Sequence, residues 1–320
     1  MPLNQTPSPS LSSVCLTPGA AALVTGGAGF IGSRLAKELL NLGLKVKILD
    51  NLSCGSFDNL NQIKDSVQFY LGDVRDRELV EKLSHQTAYC FHLAGMSSVP
   101  QSQIEPDLCL DINGLGTLNV LRAASLHKVS RVIYASTSAV YGDAPLPHGE
   151  LTLPRPNTPY AALKLLGEHL ALFFYETEGL ETISLRFFNV YGPGQSAKGA
   201  DAPVVPVFNE ALKNSRAPII YGDGLQSRDF LHVSDAVRAL IVSAVAPFQG
   251  NGVYNVATGK SASLLKVLKI LRRRSPLAPE AIHLPARAGD PKFSIALVDK
   301  AIRELGFEAK IKLSEGLSQI

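Results

Sequence analysis

Tyr160 and Lys164 stand four positions apart in Tyr160-Ala-Ala-Leu-Lys164, directly after a proline-rich loop at 154–159. On a helix this spacing puts both side chains on one face, about one turn apart. An ammonium beside a phenol is expected to lower the phenol's pKa from roughly 10 toward neutrality. Tyr160 would then serve as a general base. YxxxK by itself is a common pattern. It gains meaning from an upstream segment, Ala135-Ser136-Thr137-Ser138-Ala139-Val140-Tyr141-Gly142, which ends a strand in a run of hydroxyls. A hydroxyl there can share a proton between the base and a substrate alcohol.

A second set of residues fits phosphate and ribose. The apolar run ALVT leads into Gly26-Gly27-Ala28-Gly29-Phe30-Ile31-Gly32 and then a helical pattern, so Gly26, Gly29 and Gly32 punctuate a strand–turn–helix. Glycines at that spacing permit a tight turn and let a pyrophosphate reach the backbone N–H groups at the positive helix end. The next strand ends at Asp50, 18 positions after Gly32, where a carboxylate chelates a ribose diol and repels a 2′-phosphate. NAD is therefore expected rather than NADP. Asp73, in Gly72-Asp73-Val74, either reaches the adenine edge or caps the helix that RDREL begins. His92-Leu93-Ala94-Gly95 brings bare backbone to the carboxyl end of the sheet, where ligands of such folds bind.

The elements needed to position these residues follow from the pattern. Short β-rich runs at 22–25, 46–50, 67–71, 89–93, 131–135 and 182–188 alternate with helical stretches at 31–42, 77–84, 115–126 and 160–176. That alternation predicts an α/β fold, a Rossmann-like doubly wound parallel sheet. Several strands are apolar almost throughout, as burial on both faces requires. After about residue 190 glycine and proline cluster in YGPGQSAKGADAP, and helices at 204–213, 234–245, 263–273 and 299–305 alternate with short strands. The expected organisation is a flexible arm at 1–20, an NAD-binding domain at 21–190 and, at 191–320, a smaller C-terminal α/β domain mainly for substrate, with an interleaved boundary.

With 320 residues, 46% of them hydrophobic, the chain can build a large core. A net charge of +3, from 31 basic against 28 acidic residues, is small, and the basic run at 272–274 reads as a solvated helix end. Nucleic acid is not an expected partner. Cys15, Cys54, Cys90 and Cys109 show no ligand or framework spacing, which predicts neither metal nor disulfide and fits a reducing compartment. The first twenty residues carry no charged side chain, unlike a signal or transit peptide, and no run approaches the roughly 20 apolar residues of a membrane span. A cytoplasmic location is expected.

The ordered blocks TGGAGFIGS, LDNLS, GDVRD, HLAG, STSAVYG, YAALK, RFFNVYGPGQ, YGDGLQSRDFLHVSD and RAGD, spread over 21–311, resemble the NAD-dependent epimerase/dehydratase family of extended short-chain dehydrogenases/reductases, which includes UDP-hexose 4-epimerases. The resemblance implies Tyr160 as catalytic base, Lys164 as the nicotinamide-ribose ligand that tunes it, and Thr137 as the catalytic hydroxyl. It further implies cofactor contacts from Phe30, Ile31, Asn51, Ser53, Val74, Leu93, Ala94, Gly95, Ser97, Asn113, Ala135 and Ser136. For the sugar nucleotide it implies Ser98, Ser138, Asn189, Val204 and Tyr221, with Arg228 and Arg287 clamping the diphosphate and Asp290 completing the site. Dehydratases of the family carry Asp-Glu directly after the Thr and nucleotide-sugar decarboxylases resemble STSEVYG, whereas this chain has Ser138-Ala139. The implied chemistry is a 4-epimerisation by oxidation and re-reduction. Ser294 stands where a bulky Tyr is associated with plain hexoses, which favours UDP-N-acetylglucosamine/UDP-N-acetylgalactosamine over UDP-glucose/UDP-galactose. The alternatives are a uronic-acid epimerase, a dehydratase, a keto-sugar reductase, or a non-catalytic dinucleotide-binding module that would lack the Tyr or Lys. Helices 160–176 and 115–126 are apolar beyond what one sheet face covers, and family dimers pair such helices, so a homodimer is expected.

Overall fold

The computed structural model describes residues 16–199, 202–247, 250–286 and 292–320. The arm expected at 1–20 falls largely outside them, as do Arg287 and Asp290. The first half runs β1 (Ala21–Thr25), α1 (Gly32–Asn41), β2 (Lys45–Asp50), β3 (Val67–Leu71), α2 (Arg77–Ser84), β4 (Tyr89–His92), α3 (Val99–Ile104), α4 (Pro106–Cys109), α5 (Gly116–Leu126), β5 (Arg131–Thr137), α6 (Pro159–Glu178) and β6 (Thr182–Phe187). The second runs β7 (Asn189–Tyr191), α7 (Val204–Lys213), β8 (Ile219–Tyr221), β9 (Ser227–His232), α8 (Val233–Val245), β10 (Asn251–Val256), β11 (Ser261–Ser263), α9 (Leu264–Arg272), β12 (Ile282–Leu284) and α10 (Leu313–Ser318).

Seven strands form one parallel sheet in the order β3-β2-β1-β4-β5-β6-β10. The winding reverses between β1 and β4, and in doubly wound sheets the ligand crevice opens at the carboxyl ends of such a pair. On one face α1 and α8 cover Val24, Ile48, Phe91, Ile133 and Ile183 with Leu35, Leu39, Val237, Leu240 and Ile241. On the other, α2, α5 and α6 cover Leu23, Leu49, Cys90 and Val132 with Val80, Leu83, Val120, Leu121, Ala171 and Phe174. Covering on both faces is why every residue of β6 is buried.

The second half joins this sheet as well as building its own lobe. Strand β10 pairs with β6, Tyr254 against Leu185, so the chain returns to the large sheet after leaving it. A smaller core of Val205, Phe208, Ile220, Phe230, Val267 and Leu271 holds α7, α9 and the strands β11-β9-β7 and β12-β8 together. The helix expected at 299–305 is present over those residues, passing from helical 299–300 into a π-helical turn, Ala301–Leu305, and ending at Gly306 with φ 64°.

Candidate active site

The glycine turn needs its glycines for different reasons. Gly26 has φ +70°, and a Cβ on it would lie 2.7 Å from the Ala94 nitrogen. At Gly32 a Cβ would stand 2.2 Å from the Gly26 carbonyl oxygen, so this residue lets α1 start directly against β1. The Asp50 carboxylate is buried and accepts from the N–H groups of Ala28 at 2.9 Å and Leu52 at 2.8 Å, which ties the β2 end to the turn. A carboxylate has about four lone-pair directions, so a diol can still be received. Asp73 is not the cap of α2; Asp76 is, accepting from the Leu79 N–H at 3.0 Å. Asp73 accepts instead from Asn51 Nδ2 at 2.7 Å and from Arg75, whose guanidinium hydrogen bond holds its carboxyl below the usual range. Asn51 in turn takes the Ser53 N–H.

Across the switch point, Leu93, Ala94 and Gly95 form the opposite wall. A Cβ on Gly95 would meet Asn113 Oδ1 at 2.8 Å and Lys164 Nζ at 3.3 Å. Asn113 is buried and spends its amide on Met96, accepting from the backbone N–H at 2.8 Å and donating to the carbonyl at 3.0 Å. Val74 is buried, with its carbonyl held by Asn119 Nδ2. A cradle of bare backbone, narrow enough that side-chain carbons would fill it, fits an extended dinucleotide along Gly26–Gly32, Asp50 and Leu93–Gly95.

Helix α6 begins at Pro159, one residue before the expected start. The Thr158 hydroxyl accepts from the Ala161 N–H at 3.2 Å, Pro159 takes the first helical position, and Gly179 at φ 69° ends it. Its inner face delivers Tyr160 and Lys164 into a cleft of about 320 Å³ lined also by Ile31, Leu93, Gly95, Met96, Ser97, Ala135, Ser136, Thr137, Ser138, Phe187, Phe188, Asn189 and Val190. Thr137 Oγ1 accepts from the Ala139 N–H at 3.2 Å, which leaves its own proton for the hydrogen bond it makes to the Tyr160 phenol. Lys164 Nζ donates to the Ala135 carbonyl at 2.9 Å and lies 5.0 Å above the Tyr134 ring.

The phenol differs from the expectation of a lowered pKa. Burial pushes Tyr160 up, and the Thr137 hydrogen bond opposes this only in part. Burial also brings the Lys164 ammonium down to about 8. Desolvation penalises both charged forms, the phenolate and the ammonium.

Ser136 lines the cleft, yet its hydroxyl turns away and donates to Glu168 Oε1. Glu168 forms a side-on pair with Arg186, Nη2 to Oε2 at 2.6 Å and Nε to Oε1 at 2.9 Å. The sequence reading missed both, together with Met96, Phe187, Phe188 and Val190. Glu168 was findable, since it lies one more turn along the Tyr160-Lys164 face.

The residues assigned to sugar and diphosphate are spread further. Ser98 caps α3 through the Gln101 N–H. Asn189 lines the cleft and opens β7, which pairs with β9. Arg228 lies on β9, donating to the Ser227 carbonyl at 2.9 Å, and Ser294 is bonded through its N–H to that same carbonyl, so the two are brought side by side. Val204 opens α7 and Tyr221 closes β8. Arg228, Ser294, Val204 and Tyr221 do not line the 320 Å³ cleft. Among the described residues no His/Cys/Asp/Glu cluster could hold a metal ion, and no helix is long and apolar enough to cross a membrane.

The profile of the NAD dependent epimerase/dehydratase family matches residues 22–257. A putative UDP-glucose 4-epimerase of Methanocaldococcus jannaschii is 35% identical, covering 93% of this chain and 96% of its own. A UDP-N-acetylglucosamine 4-epimerase from Methanobrevibacter ruminantium, solved with UDP-N-acetylmuramic acid, superposes with a TM-score of 0.91 at 36% identity, covering 95% of this chain and 97% of that one. The UDP-glucose 4-epimerase of Thermus thermophilus, solved with NAD, gives 0.84 at 35% identity over 93% and 97%.

Proposed function

The chain belongs to the NAD dependent epimerase/dehydratase family, and on that premise we propose that it is a nucleotide-sugar 4-epimerase that interconverts UDP-N-acetylglucosamine and UDP-N-acetylgalactosamine through a 4-keto intermediate. The carrying observation is the composition of the cleft. Thr137, Tyr160 and Lys164 meet there among hydroxyls and apolar groups, and no Asp or Glu lines it among the described residues. Eliminating water from the sugar needs an acid and a base beyond the tyrosine, and Ser138 and Ala139 supply neither. Oxidising and re-reducing one carbinol carbon needs a base that takes and returns the hydroxyl proton and a carrier that takes and returns the hydride, and no further acid or base.

NAD, when bound, supplies the acceptor and then the donor of hydride and is regenerated in each cycle. Tyr160 takes the proton of the sugar 4-hydroxyl, with Thr137 placed to pass it on. Lys164 stabilises the phenolate electrostatically and, following the family pattern, holds the ribose. Arg228 retains the diphosphate while the keto sugar turns to present its other face, and Tyr160 then returns the proton. Ser294 beside Arg228 leaves room for a substituent on the sugar. The N-acetylated nucleotide in the Methanobrevibacter relative supports that choice.

Tyr160→Phe should abolish turnover while the purified protein retains NAD. Near-normal epimerisation by that variant would remove the assignment. Rates on UDP-glucose and UDP-N-acetylglucosamine measured side by side decide the sugar, and a strong preference for UDP-glucose would overturn the Ser294 argument.

A further inference from the structure

His92, directly before Leu93-Ala94-Gly95, is 1% exposed and has no part in the proton transfer. Both its ring nitrogens meet threonine hydroxyls: Nδ1 lies 2.7 Å from Thr25 Oγ1 and Nε2 lies 3.1 Å from Thr117 Oγ1. The partners of those hydroxyls decide where the ring proton sits. Thr117 donates its only proton to the Asn113 carbonyl at 2.6 Å, so towards His92 it can only accept. Thr25 accepts from the Ala94 N–H at 3.2 Å, which leaves its proton for the bare Nδ1. One tautomer, Nε2–H, satisfies every donor and acceptor in the chain Ala94–Thr25–His92–Thr117–Asn113.

This chain ends on both sides of one turn. Ala94 is held through Thr25, and Met96 is held at its N–H and carbonyl by the Asn113 side chain. Between them lies Gly95, 3.3 Å from Lys164 Nζ when given a Cβ. The ring is packed against Tyr134, centroids 5.6 Å apart, so it cannot turn over without unpacking. Burial and the nearby Lys164 ammonium keep the imidazole neutral, with its pKa down at about 3.

We infer that His92, as its Nε2–H tautomer, is a positioning residue that braces both ends of the turn 94–96 and so fixes the backbone wall against which the dinucleotide lies. The inference rests on the NAD reading of the cleft and not on the identity of the sugar.

Two measurements test it. In histidine-selective ¹⁵N spectra of the intact protein, with the His92 signals identified by their loss in His92→Phe, Nε2 should carry the proton and Nδ1 should be bare; an Nδ1–H tautomer would overturn the inference. His92→Phe keeps the stack on Tyr134 and loses both hydrogen bonds, and it should release NAD at least tenfold faster on dialysis. A lower Tm with wild-type release would show a merely structural role and end the proposal. If His92→Phe does not fold, Thr117→Val is judged by the same release rate. Wild-type protein that binds no NAD at all would remove the cofactor reading, and this inference with it, a result distinct from wild-type release by a variant.

Discussion

Burial acts on Tyr160 and Lys164 together, and the two shifts define how the pair must work. The phenol is pushed up and the ammonium is brought down to about 8, because the cleft penalises charge on either group alone. A phenolate next to an ammonium, by contrast, is a pair in which each charge offsets the other's desolvation. Below about pH 8 Lys164 holds its proton and can support ionisation of the phenol; without it the phenol would ionise against burial with only the Thr137 hydrogen bond to help. Lys164→Met should therefore move the acid limb of kcat against pH to higher pH by ~1 unit or more, and lower kcat near neutrality by about 10²- to 10⁴-fold. The profile should be measured with NAD shown to be bound, so that loss of cofactor does not mimic loss of base. An unshifted acid limb would mean that Lys164 holds the ribose and leaves the phenol's ionisation alone.

At the scale of elements, α6 has to keep one face in register with the end of β5, and Glu168 is the residue that ties them. Its carboxylate joins Ser136 of β5 and Arg186 of β6, and the Arg186 guanidinium in turn lies 4.8 Å from the Tyr141 ring. Removing one partner of a buried pair strands the other charge. Glu168→Gln should thus cost ~3–5 kcal/mol in urea denaturation, and the double change Glu168→Leu with Arg186→Met should recover much of it. A single-variant cost below about 1 kcal/mol would show that the pair does not clamp the helix. These ties also mark how far the sequence could be read. The strands bounded by glycines, the helix expected from 160 after a proline-rich loop and the helix at Arg77–Ser84 follow from local chemistry, and the structure places them within a residue or two of expectation. What local pattern cannot carry is choice between distant partners. Asp76 as the cap was legible, since it directly precedes a helix expected at 77–84, but nothing near Ser136 tells that its hydroxyl faces Glu168. Strand β10 hides because Asn251, Gly252 and Asn255 are poor strand formers, yet Asn255 is fully buried and bonded to the His148 and Leu297 carbonyls. The Tyr160 shift was misjudged for the same reason: the spacing to Lys164 is in the sequence, and the burial is not.

For the whole molecule, the outer surface of α5 and α6 is the feature that one chain leaves unfinished. The sheet and α2 cover Val120, Leu121, Ala171 and Phe174, while Phe173 remains 53% and Leu126 58% exposed, with Leu166, Leu172 and Tyr175 each more than a third exposed. Leu166 and Phe173, seven positions apart on α6, share the face turned away from Tyr160 and Lys164, and apolar exposure along one face of a long helix marks a contact surface. A second copy offering the same helices would bury them in a two-fold arrangement, where each residue of the patch faces its own counterpart region. The inner face of α6 carries Tyr160 and Lys164, so pairing on the outer face would also steady the catalytic helix. We expect a dimer by light scattering at micromolar concentration. Phe173→Glu, which sets a charge on that exposed face at a residue that does not line the cleft, should give a monomer that retains the wild-type far-UV spectrum but unfolds at lower temperature. A wild-type protein of monomeric mass, or a Phe173→Glu variant that remains dimeric, would mean that this face is not the contact and that α6 is held by its own chain alone.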